Sequence, residues 1–264
     1  LTSSIVVAGE YASVTKAVEA LSSSATSSRW DAVQYLARRP EAAVPRLMEM
    51  VRKQENGWIY GSAALIQSKD ARVVPFYIDL LRANYHAREA DEARKQSICI
   101  LMPHDVFGGV LARGLGELGD SRAIPILEEA AKEGDSEVRK NAYEALYKLG
   151  ALSLDELFDL AKSDSDPQAS ISNIIQGIGW ASIHSDTTQA LEVFDRIIGE
   201  LPKHEYDVAS AHFWKVQCFT ILKRYDRAIQ ECDEVMKFPR YENLIVQIKA
   251  QREELLRLSA EVSE

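Results

Sequence analysis

The stretch that most constrains this chain is 106–162, where two helical hairpins of nearly equal length follow one another. The first reads VFGGVLARGLGELG and then DSRAIPILEEAAKEG; the second reads DSEVRKNAYEALYKLG and then ALSLDELFDLAKSD. Leu111, Leu115 and Leu118 make one apolar stripe at helical spacing, answered by Ile124, Ile126, Leu127 and Ala130. Val138, Ala142, Ala145, Leu146 and Leu149 make the next, answered by Leu154, Leu157, Phe158 and Ala161. A hairpin of this kind cannot bury its stripe alone, so stacked neighbours must build one continuous elongated core. The expected fold is all-α, a right-handed α/α superhelix.

The rest of the chain extends the pattern. Residues 5–21 are compatible with a short capping helix, and SSSATSS at 22–28 reads as a polar link. From Arg29 a hairpin places Trp30, Val33 and Leu36 opposite Val44, Leu47 and Val51; NGWIYGSAALIQSK with DARVVPFYIDLLRAN repeats the plan. Pro45, Pro75 and Pro125 read as one structural position used three times, early in the second helix, where a missing N–H costs little. The step from Pro75 to Pro125 is fifty residues instead of thirty, so 85–105 is an insertion: a charged helical segment, the apolar run 98–102 and a breaker at Pro103. Insertions in such stacks often lie on the binding face. Beyond 164 the regularity loosens, and longer helices are expected over 206–222, 225–238 and 241–260, the last a cap with a wet face.

Composition narrows the chemistry. A formal charge of −9 opposes an extended nucleic-acid surface, because phosphate binding draws on clustered Lys and Arg. Cys99, Cys218 and Cys232 are far apart in helical patterns and form no metal spacing, so they read as buried thiols. No apolar run reaches the roughly 18 residues of a membrane span. The opening LTSSIVVAGEY lacks both Met and a basic segment, which is compatible with an N-terminal piece cleaved or omitted; the compartment stays open, the cytoplasm slightly favoured.

The stretch DSEVRKNAYEALYKLG, preceded by ARGLGELGDSRAIPILEEA, resembles HEAT-like repeats of the short, roughly thirty-residue class found in phycobilin lyases. The likeness lies in the aspartate turn before Val138 and Arg139, the small residues Ala142 and Ala145, and the Leu149-Gly150 end. It extends more weakly from Arg29 to Leu201. ASAHFWKVQCFTILKRYDRAIQECDEVMKFP is similar to a tetratricopeptide repeat through Tyr225 to Ile229, Cys232 and Pro239, with Phe213, Val216 and Phe219 as packing residues; Val216-Gln217 stands where the usual Leu-Gly pair belongs. These resemblances imply three segments: a cap and linker over 1–28, HEAT-like repeats over 29–201, and a tetratricopeptide-like hairpin with a final helix over 202–264. They also imply adaptor work, binding a protein or peptide on a concave helical face.

Chemical readings are weaker. GLGELG at 114–119 matches a dinucleotide fingerprint but sits near the end of a helix rather than between strand and helix, so its glycines serve close packing and a turn. His86, His104, His184, His204 and His212 form no HExxH, and DSDP at 164–167 lacks the rest of a calcium loop. His104 and Asp105 lack an oriented nucleophile. A HEAT-like DNA glycosylase would use a basic groove with Trp30, Trp58, Tyr60, Trp180 or Trp214 for stacking and Asp31 or Asp120 for charge, and a lyase or chaperone-like relative would need a chromophore site; no compact motif marks either. The expected protein is therefore a non-enzymatic scaffold with no cofactor or metal, an unfixed oligomeric state, and Trp58, Tyr60, Tyr85 and His86 as candidate contacts. Arg113, Arg139 and Lys140 are expected to pair with turn aspartates such as Asp120 or Asp135.

Overall fold

The computed structural model describes residues 11–94, 104–163 and 171–263, with side chains given except at 85–94, 104–105 and 262–263. Among these residues the chain forms fourteen α-helices and no strand. It divides into two compact units, Leu1–Leu152 and Ser153–Glu264. The division falls inside the span read from sequence as one run of repeats.

The first unit contains α1 (Val14–Ala20), α2 (Thr26–Ala37), α3 (Pro40–Arg52), α4 (Trp58–Ser68), α5 (Val73–Arg94), α6 (His104–Leu118), α7 (Ile124–Glu133) and α8 (Ser136–Lys148). These helices form two layers: α1, α3, α5 and α7 touch in succession, as do α2, α4, α6 and α8. That is the packing of an α-solenoid, and it follows from the stripes. Leu36, Leu47, Leu65, Leu111, Leu115 and Leu127 are fully buried between the layers, each contributing roughly 1.5–3 kcal/mol by leaving water. Tyr77 is buried with them, its hydroxyl 2.6 Å from Ser62 Oγ, and burial pushes its phenol well above the ordinary range.

Two glycines set how closely α6 approaches its neighbours, one within its own layer and one across to the other. A Cβ on Gly116 would lie 2.7 Å from the Cα of Ala145 in α8, and one on Gly114 would lie 2.6 Å from the Tyr77 ring. Gly119, at φ +74°, then turns the chain out of α6. The GLGELG run is thus a helix-packing and helix-ending device.

Helix starts carry local signals. Asp135 caps α8 by accepting from the Val138 amide at 3.0 Å. Asp70 and Asp120 each accept from the backbone and guanidinium of the arginine two residues on: Arg72 at 2.7–2.9 Å and Arg122 at 2.6–3.0 Å. Those bonds hold the Asp120 carboxyl at about 2. Arg72 also reaches the Pro40 carbonyl at 3.3 Å, tying one hairpin to the one before. Asp120 is therefore held within its own turn, by Arg122 and not by a distant seam arginine. The prolines also differ in register: Pro75 and Pro125 are the third and second residues of their helices, whereas Pro45 lies inside α3, whose first position is taken by Pro40. The first half of the expected insertion continues α5 to Arg94; 95–103 lies outside the described residues.

The second unit contains α9 (Leu154–Ser163), α10 (Ile171–Ser182), α11 (Thr187–Glu200), α12 (Glu205–Ile221), α13 (Tyr225–Val235) and α14 (Glu242–Ser263). Each helix packs on the next, and α12 also touches α10 and α14. Ser153 and Glu156 open α9 with a reciprocal capping box: Ser153 N–H donates to Glu156 at 2.8 Å, and Glu156 N–H donates to Ser153 Oγ at 3.2 Å. In the α12–α13 hairpin Phe213, Val216, Ala228, Cys232 and Val235 are buried with Ile248 and Leu255 of α14. Burial pushes both Cys218 and Cys232 up to about 11, which makes them inert packing thiols.

A charged network crosses this core. Lys215 donates to Asp195 of α11 and Glu231 of α13, both at 2.7 Å, and His212 Nδ1 lies 2.6 Å from the other Glu231 oxygen. Desolvation alone would raise the Glu231 pKa; its bonds to His212 and Lys215 outweigh that and hold it below the carboxylate range. For Lys215 desolvation works toward the neutral form, and its two carboxylate partners reverse it.

Two expectations follow. Gly116→Ala forces α6 off α8 and lowers stability by about 1–3 kcal/mol, while Gly177→Ala in α10, whose Cβ meets nothing within 4 Å, raises it by about 0.4–1 kcal/mol; thermal melts of the two variants check both signs. Because the folded pKa of Glu231 is depressed, its contribution is present above the unfolded value near 4.3 and is lost as pH falls through the folded one. Glu231→Gln therefore costs about 3 kcal/mol at pH 7, and the gap to wild type narrows steadily below pH 4 in urea unfolding.

Candidate functional site

Two links meet at one end of the first unit. The turn from α3 to α4 uses positive φ at Gln54 (+50°) and Gly57 (+87°), conformations that glycine adopts freely and glutamine does not. Gly57 is required for a second reason: a Cβ there would sit 2.6 Å from the Leu21 carbonyl oxygen. Ser22 Oγ donates to the Asn56 carbonyl at 2.6 Å, lacing the α1–α2 link to the same turn.

The two links and the first turns of α2 and α4 enclose an open cleft of about 580 Å³. Ser22, Ser23 and Ser24 line one side; Gln54, Asn56 and Gly57 line the other; Arg29, Trp58, Ile59 and Tyr60 complete it, with Leu21. Trp58 is only 5% exposed, its ring packed edge-on against Phe107 at 5.1 Å, so it builds the wall. Tyr60 is half-buried, and its ring meets Trp30 edge-to-face at 5.7 Å. Trp30 and Ile59, 46% and 43% exposed, give this end an apolar lip.

Arg29 spans the polar side. Its Nη1 donates to the Tyr60 hydroxyl and its Nη2 to the Ser24 carbonyl, each at 3.0 Å. Its Nε is buried without a hydrogen-bond partner, and so is the Gln54 Oε1. An orphaned buried polar group costs about 1–3 kcal/mol. One donor and one acceptor in this condition thus belong to side chains of the same cleft. No Asp or Glu belongs to its lining among the described residues.

Of the side chains singled out in the sequence, Trp58 and Tyr60 come together here. Tyr85 and His86 fall in α5, but their side chains lie outside the described residues, as does the DSDP run. Sequence reasoning missed Arg29, Gln54 and the serines. The signal is present in the polar run at 22–28 and the Asn56-Gly57 turn, which in sequence have the character of a link and a repeat start. Elsewhere His204 lies 3.4 Å from Asp207. Among the described residues there is no group of three or more His, Cys, Asp or Glu that could hold a metal, and no helix long and apolar enough to cross a membrane.

Gly57→Ala combines a strained φ with a backbone clash and is expected to cost about 1–3 kcal/mol. It should also separate the two links, seen as a change in Trp fluorescence under native conditions before any loss of helicity.

A family model described as HEAT repeats matches residues 103–175, the stretch from just before α6 into α10. Comparison with curated proteins and with solved structures gives no match. The chain thus contains a HEAT-like repeat region within an all-α fold.

Proposed function

We propose that the protein is a non-enzymatic scaffold or adaptor that binds a protein or peptide on a helix-lined surface, with HEAT-like repeats across 29–201 and a tetratricopeptide-like hairpin across 202–264. HEAT-type stacks present successive helices to a partner, and the fold supports that class of work without naming a ligand. The observation that carries the reading is the apolar lip of Trp30 and Ile59 beside a cleft of polar walls. Adjoining aromatic and hydrogen-bonding surface of this kind suits an extended peptide, whose side chains need apolar cover and whose backbone needs partners. Tyr60 contributes its half-buried ring and Trp58 the wall behind it; Tyr85 and His86 are assigned to the same contact on sequence context alone.

The test is peptide display on the immobilised chain, followed by affinity measurement of enriched sequences. Trp30→Ser with Ile59→Ser should weaken them at least tenfold while circular dichroism stays unchanged, because both side chains lie at the surface and outside the buried core. Equal binding to wild type and the double variant, or no enrichment, would overturn the reading.

A further inference from the structure

We propose that the cleft between the α1–α2 and α3–α4 links recognises a carboxylate side chain on the bound peptide, through Arg29. This rests on the peptide-binding reading and gives it a chemical preference.

The argument begins with charge. The chain carries a formal net charge of −9, yet the cleft lining contains Arg29 and, among the described residues, no acid. The guanidinium has no carboxylate partner among the described residues; it spends two donors on neutral oxygens, at Tyr60 and Ser24. Glu55, in the same turn, is committed elsewhere, accepting from Arg46 at 2.7 Å, and the other nearby acid, Asp31, forms no ion pair with Arg29. Arginine has five N–H donors in a planar fork matched to carboxylate, so three remain, including the buried and unpartnered Nε.

The second orphan narrows the ligand. Gln54 Oε1 is a buried acceptor without a donor. An acidic residue within a peptide supplies both missing partners: its carboxylate accepts from Arg29 and a backbone N–H donates to Gln54. Drawing the two side chains slightly into the cleft would satisfy groups that are unpaired in the free chain. The Ser23 and Ser24 hydroxyls of the opposite wall add neutral donors, and the first turn of α4 has no side-chain cap to compete with an incoming anion. One guanidinium balances the single charge of a carboxylate. A phosphate, with nearly twice that charge, ordinarily collects several cations.

The probes are three amidated, acetylated pentapeptide pools with Glu, Gln or phosphoserine at the centre and mixed apolar and aromatic residues around it. Each is titrated into the full chain, labelled with nitrogen-15, while the Arg29 Nε–H and the amides of Ile59 and Tyr60 are followed by NMR. The Glu pool should move these signals at about one-tenth the concentration that the Gln pool needs, and Arg29→Lys should erase the difference by removing the fork. If that variant fails to fold, the Glu-to-Gln comparison on wild type stands alone. Equal response to Glu and Gln overturns carboxylate recognition and leaves peptide binding intact. Tighter response to phosphoserine overturns it in favour of phosphate. No movement in the cleft with any pool also overturns it, and the display selection then decides whether peptide binding survives elsewhere.

Discussion

Everything in the first unit depends on how closely α6 can approach its neighbours. Amphipathic helices of ten to fifteen residues are marginal alone, and these become stable by burying one stripe against the helix before and another against the helix after. Gly114 and Gly116 remove the side chains that would hold α6 away from Tyr77 and Ala145. At Gly116 the contact is with the backbone of α8, which side-chain rotation cannot relieve. Tyr77, pressed against Gly114 on one side and bonded to Ser62 on the other, carries the same contact toward α4.

The second unit meets the burial problem differently. Its α12–α13 hairpin admits Lys215, Glu231 and His212 into a nearly dry region, where an unpaired charge would be prohibitive. The Lys215 and Glu231 charges are admissible because each is the other's partner. Removing one member leaves the rest desolvated without compensation, which is the larger part of what its loss costs. Ala209, Ala211 and Ala228 are fully buried in the same part of the unit, and such small side chains let its helices close around the longer charged ones.

The sequence was most legible where one period ruled. Leu111 and Leu115, or Val138, Ala142 and Ala145, had a single face to occupy, and the structure buries them. The reading of GLGELG as packing glycines rested on the same logic, since the apolar period continued through it. Legibility failed where a residue had two compatible uses. Pro45 fitted a thirty-residue register, but Pro40 could also start a helix and did. Asp120 had arginines at several distances in sequence; the closest, Arg122, offered its backbone N–H together with its fork, which no seam arginine could match. The candidate cleft was half visible. Its aromatic side is written in WIY, whereas its polar side depends on two links, 22–25 and 53–57, meeting in space, and no local pattern encodes that meeting.

That meeting has a physical cause. A two-layer stack gathers the links at its ends, and links cannot bury their backbone groups as helices do. Here the α1–α2 and α3–α4 links satisfy part of that demand from each other, through Ser22 on the Asn56 carbonyl, and part through Arg29 on the Ser24 carbonyl. Arg29 is then doubly constrained. It must hold the Ser24 carbonyl and the Tyr60 hydroxyl, which fixes its plane, and that fixed plane leaves Nε without a partner. The two Nη bonds set the resting position of the guanidinium beside the cleft, and the proposed ligand reaches the buried Nε only as the side chain is drawn inward. The same bonds that close the fold at this end thus hold, beside the cleft, the guanidinium proposed to meet a carboxylate.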